Sequence, residues 1–125
     1  AVALEAILHL HRDGATSDEA LAWVDDNLGH YNWVHTINNA ALISVGLLWG
    51  SDFISSVALT ISGGRDTDSS AATVGSVFGA LHGLQAIPSN LVGTTHVRVR
   101  SAVKDFDRIE IAELAQRTLA LVGVQ

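Results

Sequence analysis

Cysteine and methionine are both absent from the 125 residues, proline occurs once, at Pro88, and Lys plus Arg number only seven. The missing cysteine excludes disulfides, zinc-thiolate sites and thiol nucleophiles, and it predicts a reducing, cytoplasmic address. Seven basic residues against thirteen acidic ones leave a formal net charge of −6. That balance excludes the basic footprint which nucleic acid or an anionic membrane surface requires, so neither is an expected partner. Charged residues make up 16% of the chain, where soluble domains carry about 25%, and mean hydropathy is +0.31. A short domain has a high ratio of surface to volume and needs more charge than a large one. Part of its surface is therefore expected to lie against something else, a partner chain or a missing half. Long apolar runs are lacking too. Ala40 to Trp49 is interrupted by Ser44 and Gly46 and falls far short of the ~20 residues that span a bilayer. No basic stretch precedes an apolar one at the start, so neither a membrane helix nor a secretory leader is expected.

What is present reads as helix after helix. Residues 2–12 repeat apolar positions loosely at helical spacing and end at Asp13-Gly14, where glycine supplies a left-handed cap. Thr16 with Glu19 three residues on is a capping box that opens a second helix, to about Asn27. Trp33 to Trp49 is apolar on most sides and predicts a buried central helix closed by Gly50. Ser51 and Asp52 offer caps for a fourth helix, Phe53 to about Ser62. A short loop, 65–68, then leads to a helix from Ser69 to about His82. In it Ala71, Gly75, Gly79 and Gly83 recur every fourth residue. Each interior glycine costs ~1 kcal/mol against alanine, so this row predicts a tightly packed central helix. Pro88 breaks the chain, with Ser89-Asn90 capping a turn. The alternation over 96–103 suits a strand, but a helical chain argues against one. Asp107 as N-cap, Glu110 and Gly123 frame a last helix, 107–122. The expected fold is an all-α compact orthogonal bundle of six or seven helices. It is organised as one domain, 1–125, or as the C-terminal portion of a larger all-α domain.

One constellation carries chemistry. Asp66, Asp68 and Ser69 form a D-x-D-S cluster between the pair Gly63-Gly64 and a helix start. Carboxylates and a hydroxyl are hard oxygen donors, which select Mg²⁺, Mn²⁺ or Ca²⁺ over zinc or copper. Glycines ahead of them let the chain turn sharply and let a ligand approach. On spacing alone the commoner arrangement is that Asp68 or Ser69 caps the helix while Asp66 is a solvated loop charge.

The stretch Gly63-Gly64-Arg65-Asp66-Thr67-Asp68-Ser69, its glycine-rich helix to Gly83 and the Ile87-Pro88 turn resemble the C-terminal metal motif of the ADP-ribosylglycohydrolase family. Trp33 to Ala40, Asp107 to Ile111 and Arg117 to Leu119 are similar to segments of its bacterial members, so the resemblance covers most of 30–122. It implies part of a larger all-α enzyme that removes ADP-ribose from a protein side chain, or from an ADP-ribose-containing small molecule, with two Mg²⁺ or Mn²⁺ ions. By resemblance Asp66, Asp68 and Ser69 are metal ligands, and Gly63 and Gly64 lie against substrate. Two departures stand out: an extra Arg65 after the glycine pair, and serine where threonine is usual at 69. The family's remaining ligands, in a Thr/Ser-Asp-Asp run, and its catalytic acid lie in an N-terminal half with no counterpart here. Charge counting agrees. Two divalent ions bring +4 and Asp66 and Asp68 supply −2, so a binuclear site needs further carboxylates. No catalytic residue is assigned, and the chain alone is expected to be inactive.

Other polar residues are weaker signals. Asp25-Asp26 reads as a solvated helix end. His9 and His11 point to opposite sides of a helix and cannot share a metal. His35, beside Asn38 and Asn39, is a candidate wall of a nucleotide pocket, although amides in an apolar stretch more often satisfy one another or nearby backbone. His82, His96 and the three tryptophans carry no specific signal. The competing expectations are a non-catalytic helical partner that keeps a relic metal loop, and a single Ca²⁺ site that only stabilises the fold.

Overall fold

A computed structural model describes residues 2–92 and 97–122. Seven α-helices, one 3₁₀ turn and a ladder of two short strands make up the described residues, so the all-α class is observed. No described helix is long and apolar enough to cross a membrane. Contacts divide the chain into two compact units, Ala1–Ala86 and Ile87–Gln125.

In the first unit the helices are α1 (Val2–Arg12), α2 (Ser17–Leu28), α3 (Thr36–Trp49), α4 (Phe53–Ser62) and α5 (Thr67–His82), followed by the 3₁₀ turn Leu84–Ala86. Local chemistry sets the boundaries. Gly14 follows α1 at φ +80°, a conformation that costs a residue without Cβ little. The Thr16 hydroxyl accepts from Glu19 N while Glu19 Oε2 accepts from Thr16 N, at 3.2 and 2.7 Å. Asp52 does the same for α4, its carboxylate accepting from Ser55 N at 2.8 Å. The apolar α3 is the central element, as expected, packed by α1, α2, α4 and α5. Ile7, Val24, Leu42 and Val45 form the middle of the core. Trp49 closes it, its indole N–H donating to Ala15 O at 2.8 Å while the His11 ring stands at a right angle to it, 4.7 Å between centroids.

Among the described contacts the tight seam lies between α3 and α4, and not at Gly75 of the glycine row. A Cβ on Gly75 would meet only the Phe53 ring, at an ordinary 3.7 Å. At Gly46 in α3 a Cβ would run into Thr60 Oγ1 and the Ser56 carbonyl of α4, and at Gly50 into Ser56 again. The close approach is therefore Gly46 and Gly50 against Ser56 and Thr60, small residues four apart on both helices. Ser56 and Thr60 are buried, and the Thr60 hydroxyl is satisfied within its own helix by Ser56 O at 2.9 Å.

The second unit holds α6 (Ser89–Val92), β1 (Arg98–Val99), β2 (Ile109–Glu110) and α7 (Ile111–Val122). Two expectations change here. The strand that a helical chain seemed to argue against exists, two residues long, with Arg98 opposite Glu110 and Val99 opposite Ile109. The last helix begins at Ile111, not after Asp107. Asp107 is no N-cap because its carboxylate is taken by Arg100 Nε at 2.9 Å and Ser101 N at 3.1 Å. His96 and Gly123 lie outside the described residues.

The two caps carry a pH signature. Glu19 is held below the ordinary carboxylate range by the Thr16 backbone N–H, and Asp52 by that of Ser55. A carboxyl depressed in the folded state contributes stability above its ordinary pKa and loses it as pH falls through that value and below. The expected result is that Asp52→Asn and Glu19→Gln lower the melting temperature at pH 7, and that the difference from the parent chain shrinks as pH falls below ~4. Melting curves across that range check it.

Candidate metal centre

Helix α5 begins at Thr67, two residues earlier than expected. Asp66 is therefore its N-cap position, and Asp68 and Ser69 lie in its first turn. An aspartate at an N-cap ordinarily turns its carboxylate onto the free N–H groups of the helix. Asp66 does not. Its backbone sits at φ −85°, ψ 72°, and its side chain makes no capping bond. Neither Asp68 nor Ser69 is the cap, so the commoner reading of the cluster does not describe this helix head.

What holds Asp66 is Asn39. The buried amide of Asn39 accepts at Oδ1 from Asp66 N and from Ser70 Oγ, both at 3.2 Å, and donates through Nδ2 to Trp33 O at 2.8 Å and His35 O at 3.0 Å. One side chain thus fastens the start of α5 to the start of α3. Asn38 is spent on its surroundings, donating to Asn32 O at 3.1 Å and accepting from Asn39 N at 2.8 Å. The expectation that these amides satisfy nearby backbone holds for both. Asn39 does more, and sequence reasoning missed its reach to Asp66, 27 residues away.

Between the heads of α3 and α5 is a groove of about 210 Å³, with Val34, Ala40 and Ile43 on one wall and Asp66, Ser69 and Thr73 on the other. Asp66 and Ser69 are brought together there, three residues apart on one helix face. Asp68 is exposed and outside the lining. Gly64, at φ +68° with open space where a Cβ would stand, presents bare backbone. Gly63 has a packing reason for its size, since a Cβ there would strike the Leu42 side chain. His35 caps α3, its Nδ1 accepting from Ile37 N at 3.2 Å, and stacks on Tyr31 at 4.4 Å. A larger open cleft of about 540 Å³ sits at the far ends of α3 and α5, beside Leu47, Phe78, Leu81 and His82. Its one carboxylate, Asp52, is committed to capping α4. The hard oxygen donors left free are those of the smaller groove.

Arg65 stands in the left-handed region at φ +68°, a conformation that costs a side-chain-bearing residue about 1–3 kcal/mol. Its side chain is four-fifths buried, and Nη2 lies 2.6 Å from Asp25 Oδ1 of α2. Asp25 is thus exposed, as expected of a helix end, but it is paired rather than merely solvated.

In chemical terms the head of α5 combines two kinds of ligand group. Asp66 and Ser69 offer a carboxylate and a hydroxyl to a hard cation. The first-turn N–H groups, which Asp66 leaves uncapped, suit anionic oxygen. The donor set fits one edge of a divalent-cation site. Among the described residues no group of three or more His, Cys, Asp or Glu side chains gathers to complete it.

Fold and site together define an all-α protein with an oxygen-donor loop at the head of an internal helix. The sequence model of one family, ADP-ribosylglycohydrolase, matches residues 1–125, and the chain belongs to that family of hydrolases. No curated protein and no solved structure matches it.

Proposed function

We propose that this chain supplies one side of a binuclear Mg²⁺ or Mn²⁺ centre in a hydrolase that removes ADP-ribose from a modified protein side chain or a related small acceptor. The observation that carries the reading is Asp66: its carboxylate stands at a helix N-cap and does not cap, its backbone N–H is held by Asn39, and it lies with Ser69 on a groove. Asp66 and Ser69 are the proposed ligands on the groove, with Asp68, which is exposed and outside its lining, proposed as a third from the family resemblance alone. Two such ions supply Lewis acidity toward the ribose and diphosphate oxygens of the substrate. Asp66 and Asp68 offset half of their +4, and the uncapped first-turn N–H groups of α5 are placed to donate to a diphosphate. Gly64 offers bare backbone for close approach, and His35 a ring beside the head of α3; Gly63 joins Gly64 in the proposed substrate contact. The remaining carboxylates and the general acid or base belong to an N-terminal half or a partner chain, so the chain alone is inactive in this reading. Trp33 is 58% exposed and Val34 51%, which supports a covering surface beside the groove. The absence of cysteine supports a cytoplasmic address.

Titration with Mn²⁺, followed by the electron paramagnetic resonance of the free ion, tests the reading. The parent chain is expected to bind Mn²⁺ and Asp66→Ala to lose at least roughly tenfold in affinity. Unchanged affinity in Asp66→Ala would leave a relic loop in a non-catalytic helical partner. Stabilisation by Ca²⁺ that ADP-ribose does not influence would favour a purely structural ion.

A further inference from the structure

We infer that the Arg65–Asp25 ion pair is a positioning clip, which fixes the peptide presenting Asp66. The inference rests on the reading that Asp66 and Ser69 hold a divalent cation. Four observations carry it. Arg65 occupies a left-handed position that glycine would fill without strain, so its side chain offsets that strain. The pair spans 40 residues of sequence, joining the loop to α2 with a charge-assisted bond of 2.6 Å. Arg65 Nε is buried with no hydrogen-bond partner, so the Asp25 contact has the main share in fixing the guanidinium. Finally, the neighbouring residue is itself fastened from the other side, Asp66 N donating to Asn39. The loop is thus tied to α2 through Arg65 and to α3 through Asp66, one residue apart.

This arrangement also settles what Arg65 does not do. An arginine whose side chain is four-fifths buried and whose Nη2 is committed to a carboxylate is not a free fork for a substrate phosphate. Removing the Asp25 charge therefore loosens the loop that presents Asp66.

The test is Mn²⁺ titration of the purified chain, monitored by electron paramagnetic resonance, with melting curves recorded in chelator. Because Asp25 is 67% exposed, Asp25→Asn is expected to fold. It should bind Mn²⁺ roughly tenfold more weakly, as lost outer contacts of metal sites commonly do, with its metal-free melting temperature lowered by loss of the pair but the chain still folded. Asp25→Glu should recover most of the affinity. Arg65→Gly, which suits the left-handed backbone, removes clip and charge together and should bind more weakly than Asp25→Glu. Parent-like affinity in both Asp25→Asn and Arg65→Gly would overturn the clip while leaving the metal reading intact. Failure of the parent chain to bind Mn²⁺ would overturn the metal reading first and the clip with it.

Discussion

Asn39→Leu is expected to lower the chain's stability by about 3 kcal/mol or more and to weaken divalent-cation binding beyond what stability explains. The leucine fills nearly the same space, so the cost is polar, not steric. Three groups lose their partner at once, Asp66 N, Ser70 Oγ and Trp33 O, while His35 O keeps only the backbone N–H of residue 39. A buried group left unsatisfied costs about 1–3 kcal/mol, although partial access to water near the groove brings the sum below simple addition. Asn39→Asp separates the two halves of the role. It keeps both acceptor bonds and loses both donor bonds, so it should retain more of the cation affinity than Asn39→Leu does. Denaturant melts and Mn²⁺ titration on the same samples give the two quantities. Equal affinity in Asn39→Leu and the parent would mean that the loop needs no support from α3.

Two glycine substitutions should move stability in opposite directions. Gly46→Val is expected to cost about 3 kcal/mol, the upper end for overpacking, or roughly 10 °C in melting temperature. Its branches would enter Thr60 Oγ1 and the Ser56 carbonyl, and a backbone carbonyl cannot move aside without shifting α4. Gly75→Ala meets only a ring edge of Phe53 at 3.7 Å. It should gain up to ~1 kcal/mol from helix propensity. A stabilised Gly46→Val would show that the seam between α3 and α4 is looser than its glycines indicate.

The same contrast explains what the sequence made legible. Helices with local signals were readable: the Thr16 and Glu19 pair, Asp52 before Phe53, and Gly14 all act within four residues of themselves. The start of α5 was misplaced because its N-cap residue declines the capping role that the rule assigns to aspartate. The start of α7 was misplaced for the converse reason, since Asp107 finds Arg100 and Ser101 instead of a helix. The glycine row in α5 pointed to close packing, yet the sequence holds no sign of which helix faces Gly46. At the candidate centre, Asp66 and Ser69 were readable from spacing and from resemblance to a family motif. Asn39 and Asp25 were not, because what makes them matter is a partner 27 or 40 residues away. A single chain carries no local trace of such a pairing.

The central claim is that Asp66 is free of its helix in order to hold a cation. Crystals of the chain soaked in Mn²⁺ and measured at the manganese absorption edge test it most directly. The account predicts an anomalous peak within coordinating distance of the Asp66 carboxylate and the Ser69 hydroxyl. Ordered manganese elsewhere with none at Asp66, or the Asp66 carboxylate turned onto the first-turn N–H groups of α5, would contradict it.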